Sequence, residues 1–164
     1  MLDLDYARSL LSYDPETGDL RWRRHINSRA HEGAVAGCIY QNGYRVVVIN
    51  KRRYKASRLA WFIHFGGWPY PCVDHKNGDR LDDRLCNLRQ ATHKQNSANL
   101  RRSPNKCGFM GVRKTPQGAW RADIKIDGRS KCLGIFHLPE LAHAAYVATK
   151  TQYAGEFAKA TYAR

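Results

Sequence analysis

Val73-Asp74-His75-Lys76-Asn77-Gly78-Asp79, followed by Asn87-Leu88-Arg89-Gln90-Ala91-Thr92 and then by Gln95-Asn96, is the stretch whose reading decides the fold. On a strand, successive side chains point to opposite faces. The neighbours Asp74 and His75 can therefore divide two tasks, the carboxylate holding a cation while the imidazole orients a water. Asn77-Gly78-Asp79 supplies a tight turn after that strand. Thr92-His93-Lys94-Gln95 has a capping-box pattern, with a hydroxyl at the N-cap and an amide three residues on. It starts a helix at Thr92 and places Asn96 in its first turn.

Ahead of this stretch, Leu4, Ala7, Leu10 and Leu11 recur at near-helical spacing, which predicts a short helix over 4–12. Asp14-Pro15-Glu16-Thr17-Gly18-Asp19-Leu20 then turns into Arg21-Trp22-Arg23 as a hairpin. Residues 24–32 are basic and weakly patterned and read as loop. Gly43–Ile49 and Arg53–Ala56 read as a second hairpin turning at Asn50-Lys51, and Ser57–Phe65 as a buried helix ending at Gly66-Gly67.

Beyond it, Leu100-Arg101-Arg102-Ser103-Pro104-Asn105-Lys106 carries three positive charges, a proline and little to bury, which predicts a linker. Trp120, Ala122, Ile124 and Ile126 alternate with Arg121, Asp123, Lys125 and Asp127, giving one apolar and one charged strand face. Asp127-Gly128 marks a hairpin turn. Lys131–Phe136 reads as a third strand, and Pro139-Glu140 opens an Ala-rich helix that ends before Gly155. Three strands and one helix make a small α+β domain.

At 164 residues the chain is enough for one ordinary domain or two small ones. Its 28 Lys and Arg against 14 Asp and Glu leave a net charge of +14, which points to a polyanionic partner. The excess is denser late in the chain: sixteen cations against ten acids in residues 1–100, twelve against four in 101–164. The five cysteines form no Cys-x-x-Cys pair and leave one over in any disulfide scheme, so reduced and mostly buried thiols are expected. No Cys or His pair has zinc-finger spacing, and Val73 stands five residues before Gly78, where a calcium loop needs Asp. No apolar run reaches membrane-spanning length, and Met1 leads into Leu-Asp-Leu-Asp rather than a signal sequence. A cytoplasmic protein with no membrane partner is expected.

Across Val73–Asp79, Asn87–Thr92 and Gln95-Asn96 the chain resembles the HNH homing endonucleases of the His-Me finger superfamily, commonly phage-encoded, whose place would be the host bacterial cytoplasm. The resemblance implies a ββα-metal nuclease core over 69–100, with residues 1–68 as its support, a basic linker over 101–107 and a separate domain over 108–164. It implies His75 as the general base, so acidification is expected to switch activity off, a protonated imidazole having no lone pair to accept with. It makes Asp74 the anionic ligand of one Mg²⁺ or Mn²⁺ and Asn96 the second ligand through its amide oxygen, with His93 and Asn99 the nearby competitors. Asn87 is expected to bond across the loop to backbone near His75. Such a donor set suits a hard cation that keeps waters and takes phosphate oxygens from the substrate.

Gly111-Val112-Arg113, Trp120–Lys125, Leu133–Phe136 and Glu140–Tyr146 resemble the AP2 DNA-binding domain over about 109–158. That family lays a three-stranded sheet in the major groove. The resemblance puts Arg113, Arg121 and Lys125 on the DNA-facing surface and makes Lys114, Arg129 and Lys131 further candidates whose face is open. Arg101, Arg102 and Lys106 are expected to follow the DNA backbone between modules, giving salt-sensitive affinity. Met110 and Cys132 stand where plant members often carry Arg and Trp, so no base preference carries over. The expectation is an α+β protein of two or three small modules: a DNA endonuclease acting on double-stranded DNA, with no small-molecule substrate, working as a monomer or weak dimer. One site per chain makes nicking the default. The rival is a DNA-binding regulator that keeps the architecture without catalysis. An RNase is disfavoured because a sheet fits the deep, narrow major groove of A-form RNA poorly.

Overall fold

The computed structural model describes residues 2–99 and 107–158, and the chain divides into two compact units, residues 1–96 and 97–164. Arg101, Arg102 and Lys106 of the expected linker lie outside the described residues. Both units are mixtures of helix and antiparallel strand.

In the first unit, α1 (Leu4–Leu10) starts at Asp3, whose carboxylate accepts from the Tyr6 N–H and so satisfies one of the helix's open donors. The helix is shorter than the predicted 4–12, because Leu11 turns extended and opens β1 (Leu11–Tyr13), which pairs with β2 (Leu20–Trp22). A second sheet has the order β3 (Cys38–Ile39), β4 (Arg45–Ile49), β5 (Arg52–Lys55). The β4–β5 turn falls at Asn50-Lys51, both at positive φ (51° and 61°), the left-handed pair a two-residue hairpin needs. Strand β3, two exposed residues long, carries no periodic signal and is missing from the sequence reading. The basic stretch 24–32 forms only an isolated bridge between Asn27 and Ala30.

Helix α2 (Ala56–Phe65) buries Leu59, Ala60, Phe62 and Ile63 and stops at Gly66, whose positive φ of 76° lets its N–H reach back to the Phe62 carbonyl. Leu10, Leu11, Leu20, Val47, Leu59 and Phe62 form one apolar core, and Trp68 stacks on Phe62 with ring centroids 4.2 Å apart. The Arg8 guanidinium ties α1 to the end of α2 by donating to the Ile63 carbonyl at 2.7 Å.

On this base stand β6 (Cys72–His75) and β7 (Leu88–Ala91), antiparallel, with Asp74 opposite Arg89 and His75 opposite Leu88. Their connection, residues 76–87, ends in a 3₁₀ turn at Leu85–Asn87, and α3 (His93–Asn99) follows β7. The early hairpin holds this connection. Tyr13 Oη donates to the Asp83 carbonyl at 2.8 Å and Leu85 N–H donates to the Pro15 carbonyl at 3.0 Å. Burial first, and then the charge of Asp83, pushes the Tyr13 hydroxyl up, so it remains a donor.

Gly18 sits under the same connection at φ +81°, where a Cβ would stand 2.6 Å from the Arg84 nitrogen and 2.7 Å from the Asp83 carbonyl carbon. Gly33 has a similar φ of +79° and open space around it. Gly33→Ala is therefore expected to cost only the backbone strain of about 1 kcal/mol, and Gly18→Ala roughly 2–3 kcal/mol. Thermal unfolding of the two variants checks this; equal midpoints would mean that the hairpin does not press on the connection.

In the second unit, β8 (Val112–Lys114), β9 (Trp120–Ile126) and β10 (Arg129–Phe136) form an antiparallel sheet in the order β10-β9-β8. The β9–β10 turn is Asp127-Gly128, both left-handed (49° and 79°), and β10 shifts register between Cys132 and Gly134. Helix α4 (Pro139–Ala154) packs on this sheet, with Val112, Ala122 and Ala142 at the centre and Trp120, Leu133 and Phe136 around them. Strand β10 begins two residues before the predicted start, because the tight turn lets pairing run up to it.

All five cysteines are free thiols, but the expectation that they are mostly buried is wrong: Cys38, Cys86 and Cys132 are exposed and Cys72 and Cys107 half-buried. Cys38 lies on the short outer strand β3, Cys86 in the 3₁₀ turn and Cys132 on β10. Among the described residues no helix is long and apolar enough to cross a membrane.

Candidate active site and nucleic-acid surface

Asp74 and His75 end strand β6, and both are buried, with 3% and 4% of their surface exposed. Since cross-strand partners share a face, Asp74 lies beside Arg89 and His75 beside Leu88. Each site residue has an opposite or complementary group. Arg89 Nε and Nη2 both reach Asp74 Oδ2 at 2.9 Å, and His75 Nε2 lies 2.9 Å from Asp83 Oδ1. The Asp83 side chain is as buried as the imidazole, 4% against 5% exposed. A carboxylate accepts only, so an ionised Asp83 places the imidazole proton on Nε2 and leaves Nδ1 as the acceptor. The Tyr44 ring lies against His75 with centroids 6.2 Å apart.

Asn87 spans the base of the connection. Its amide oxygen accepts from the Asn77 N–H at 2.9 Å, its Nδ2 donates to the Asp82 carbonyl at 2.7 Å, and its own carbonyl accepts from the Lys76 N–H. The partners of its side chain are thus backbone groups two residues after His75 and immediately before Asp83. Asp82 braces the loop from the other side, accepting from Arg84 Nε and Nη2 and from Asn77 Nδ2, each at 2.7 Å. The hydrogen bonds from Arg84 hold its carboxyl down at about 2. The sign follows: a folded-state value below the ordinary aspartate range means that the bracing is complete above that range and is lost only as pH falls through about 2.

Thr92 caps α3 as the pattern predicts, its hydroxyl accepting from the Gln95 N–H while Gln95 Oε1 accepts from the Thr92 N–H at 2.8 Å. Asn96 follows in the first turn, half-buried, and His93 is exposed. Among the described residues no group of three or more His, Cys, Asp and Glu could hold a metal ion. Asp74 carries one carboxylate, its charge offset by Arg89, and Asn96 carries one amide oxygen on α3. This fits a hard cation carried mostly by water and phosphate, and fits neither zinc nor a closed calcium cage.

In the second unit, register settles which cations share a face. Arg113 stands opposite Arg121, and Asp123 binds both, Oδ1 taking Arg121 Nε at 2.9 Å and Oδ2 taking Arg113 Nε at 3.0 Å. With Lys125 they occupy the face away from buried Ala122 and Ile124. Lys114, opposite Trp120, lies over that ring, and Lys131 and Arg129 stand opposite Ile124 and Ile126. These three belong to the helix-packed face. Arg129 and Lys131 line a groove there with Thr149, Gln152 and Tyr153.

Residues 54–98 match the HNH endonuclease family, a span that contains β6, β7, their connection and most of α3. No curated protein matches the chain. A solved structure similar to it is that described as "DNA binding and cleavage by the HNH homing endonuclease I-HmuI", at 25% identity and a TM-score of 0.42, covering 60% of this chain and 55% of that one. The chain thus spans about half the length of that protein.

Two residues of this site escaped the sequence reading. Asp83 sits inside the charged run Asp79–Arg84, where an acid reads as a loop residue, and nothing local to Arg89 shows that it meets Asp74. An acid in the connection, between the histidine and the asparagine, was the available signal for the first.

Proposed function

We propose that this chain is a metal-dependent DNA endonuclease of the HNH type that nicks double-stranded DNA. The observation that carries the reading is the buried His75–Asp83 pair standing beside the Asp74–Arg89 pair on consecutive residues of β6, inside the segment that matches the HNH endonuclease family. His75 accepts the proton of the attacking water at Nδ1. Asp83 and Asn87 position it, the first by holding the Nε2 proton and the second by tying down both ends of the connection. Asp74 and Asn96 would hold one Mg²⁺ or Mn²⁺ through a carboxylate and an amide oxygen. A divalent cation bound there supplies positive charge for the leaving oxygen, which a phosphodiester needs because its alkoxide is a poor leaving group.

Arg113, Arg121 and Lys125 form the DNA-gripping surface of the second unit, used as an AP2-like sheet. Asp123 holds the two arginines side by side and limits their net charge, which suits a face that presents several donors at fixed spacing. Lys114, Arg129 and Lys131, on the other face, contribute to the long-range field only.

The test is incubation of the purified chain with supercoiled DNA in Mg²⁺ or Mn²⁺, with EDTA controls. Open circles that form with metal and vanish with EDTA are the expected result. Tight binding without cleavage in either metal would replace this reading by that of a DNA-binding regulator. Preferential cleavage of RNA would overturn the choice of DNA.

A further inference from the structure

Around Tyr44, which borders His75, the first unit gathers positive charge that no described carboxylate pairs with. Lys55 Nζ lies 3.8 Å from the centroid of the Tyr44 ring, and Arg80 Cζ lies 5.0 Å from the same centroid. Tyr44 in turn borders the His75 imidazole, with centroids 6.2 Å apart. Among the described residues no carboxylate lies within ion-pair distance of Lys55, Arg58 or Arg80. Of the other cations around the site, Arg89 is held by Asp74 and Arg84 by Asp82, and Lys76 donates to the Cys86 carbonyl.

Backbone carbonyls anchor the two arginines in place. Arg80 donates one N–H to the Asn42 carbonyl at 2.8 Å, which fixes the guanidinium on the ring and leaves most of its five donors unspent. Arg58 donates to the carbonyls of Pro69 and Pro71, so its charge stays in place while its hydrogen bonds go to backbone. Like charges so arranged cost free energy in the unliganded chain. Lys55 is exposed by surface area, yet the partial desolvation of its ammonium, and then Arg58 and Arg80, hold it below the usual lysine value. An anion seated among them would remove that cost.

We propose that Lys55 and Arg80, mounted on Tyr44, grip a backbone phosphate of the DNA strand that His75 attacks. The position argues for DNA rather than a free anion, because the grip adjoins the residue that acts on a phosphodiester. This inference rests on the nuclease reading above. Its role is placement, bringing the reactive phosphate to His75 by holding a neighbour.

The experiment is the salt dependence of binding of the full chain to a fluorescent DNA duplex, by anisotropy in EDTA, so that no cleavage intervenes. Lys55→Gln with Arg80→Gln is expected to weaken binding about tenfold at low salt and to make the slope of log affinity against log salt shallower by about one, the signature of one lost phosphate contact. Lys55→Arg should keep the wild-type slope. If Arg80→Gln fails to fold, having lost its tie to Asn42, exposed Lys55→Gln alone carries the test, with a smaller change in the same direction. An unchanged slope and affinity in a folded Lys55→Gln/Arg80→Gln chain overturns the grip. Inorganic phosphate at millimolar concentration is expected to compete weakly and equally with both proteins; if it abolishes the difference between them, the site is one for free phosphate. A larger change of slope on duplex RNA than on DNA would also overturn the assignment. The two readings separate cleanly: a changed slope without metal-dependent nicking keeps the grip and removes the nuclease, whereas nicking with an unchanged slope does the reverse.

Discussion

Replacement of His75 by alanine is expected to lower the nicking rate by about 10²–10⁴-fold, the usual worth of a positioned general base, with DNA affinity nearly unchanged. The sharper variant is Asp83→Asn. It preserves the volume of a buried side chain 2.9 Å from Nε2, but an amide can present its NH₂ group to that nitrogen and drive the imidazole proton onto Nδ1. The acceptor for the water proton would then be gone although every residue of the site remained. We expect a fall of about 10²-fold or more in kcat, with KM held, because nothing that touches DNA has changed. A merely structural role would raise KM and lower the unfolding midpoint together with the rate. Wild-type kcat in Asp83→Asn would remove Asp83 from the mechanism, and wild-type kcat in His75→Ala would remove the site itself.

The largest expected loss of stability is that of Arg89→Ala. The Asp74 carboxylate is 4% exposed and receives Arg89 Nε and Nη2 on Oδ2, so truncating the arginine removes the cation that faces a buried charge. Breaking such a pair costs about 3–5 kcal/mol, while the intact pair contributes far less because both ions gave up their hydration to form it. The unfolding midpoint in EDTA should fall by more than about 10 °C. Asp74→Asn combined with Arg89→Met should recover much of the loss, since it leaves no ion unpaired, although cleavage would be lost with the carboxylate. A midpoint shift of only a degree or two in Arg89→Ala would mean that water reaches Asp74 and that the pair is not what holds it.

The proposed metal site follows the same logic. Arg89 offsets the charge of the only carboxylate assigned to the cation, so affinity in the absence of DNA is expected to be weak and to tighten when phosphate oxygens join. Metal titrations with and without DNA, using Asp83→Asn to slow turnover, check this through the change in apparent affinity.

Much of the fold was legible before any coordinates because its signals are local. A hairpin turning at Asn50-Lys51, a helix stopping at Gly66, a cap at Thr92 and a turn at Asp127-Gly128 each depend on a few neighbouring residues whose backbone preferences or hydrogen bonds act within one turn of chain. The alternation of Trp120–Ile126 likewise sorted its own side chains onto two faces, because strand geometry needs no partner to do so. The motif residues Asp74, His75, Asn87 and Asn96 were visible as residue types at set spacings, and the β6–β7 hairpin leading into α3 is the local frame they occupy.

What only the tertiary structure decided is who meets whom across long stretches of chain. Whether Lys114, Arg129 and Lys131 join Arg113 depends on cross-strand register, since a one-residue slip sends every side chain to the opposite face. That Asp83 meets His75 depends on how the 76–87 connection folds back, and this is set by Asn87 from within and by Tyr13, Pro15 and Gly18 from a hairpin some seventy residues earlier. The pairing of Asp74 with Arg89, and the gathering of Lys55 and Arg80 on Tyr44, likewise bring together charges that are distant in the chain. Residue types and their spacing carry backbone preference, whereas the free energy of a buried charge depends on its surroundings in three dimensions.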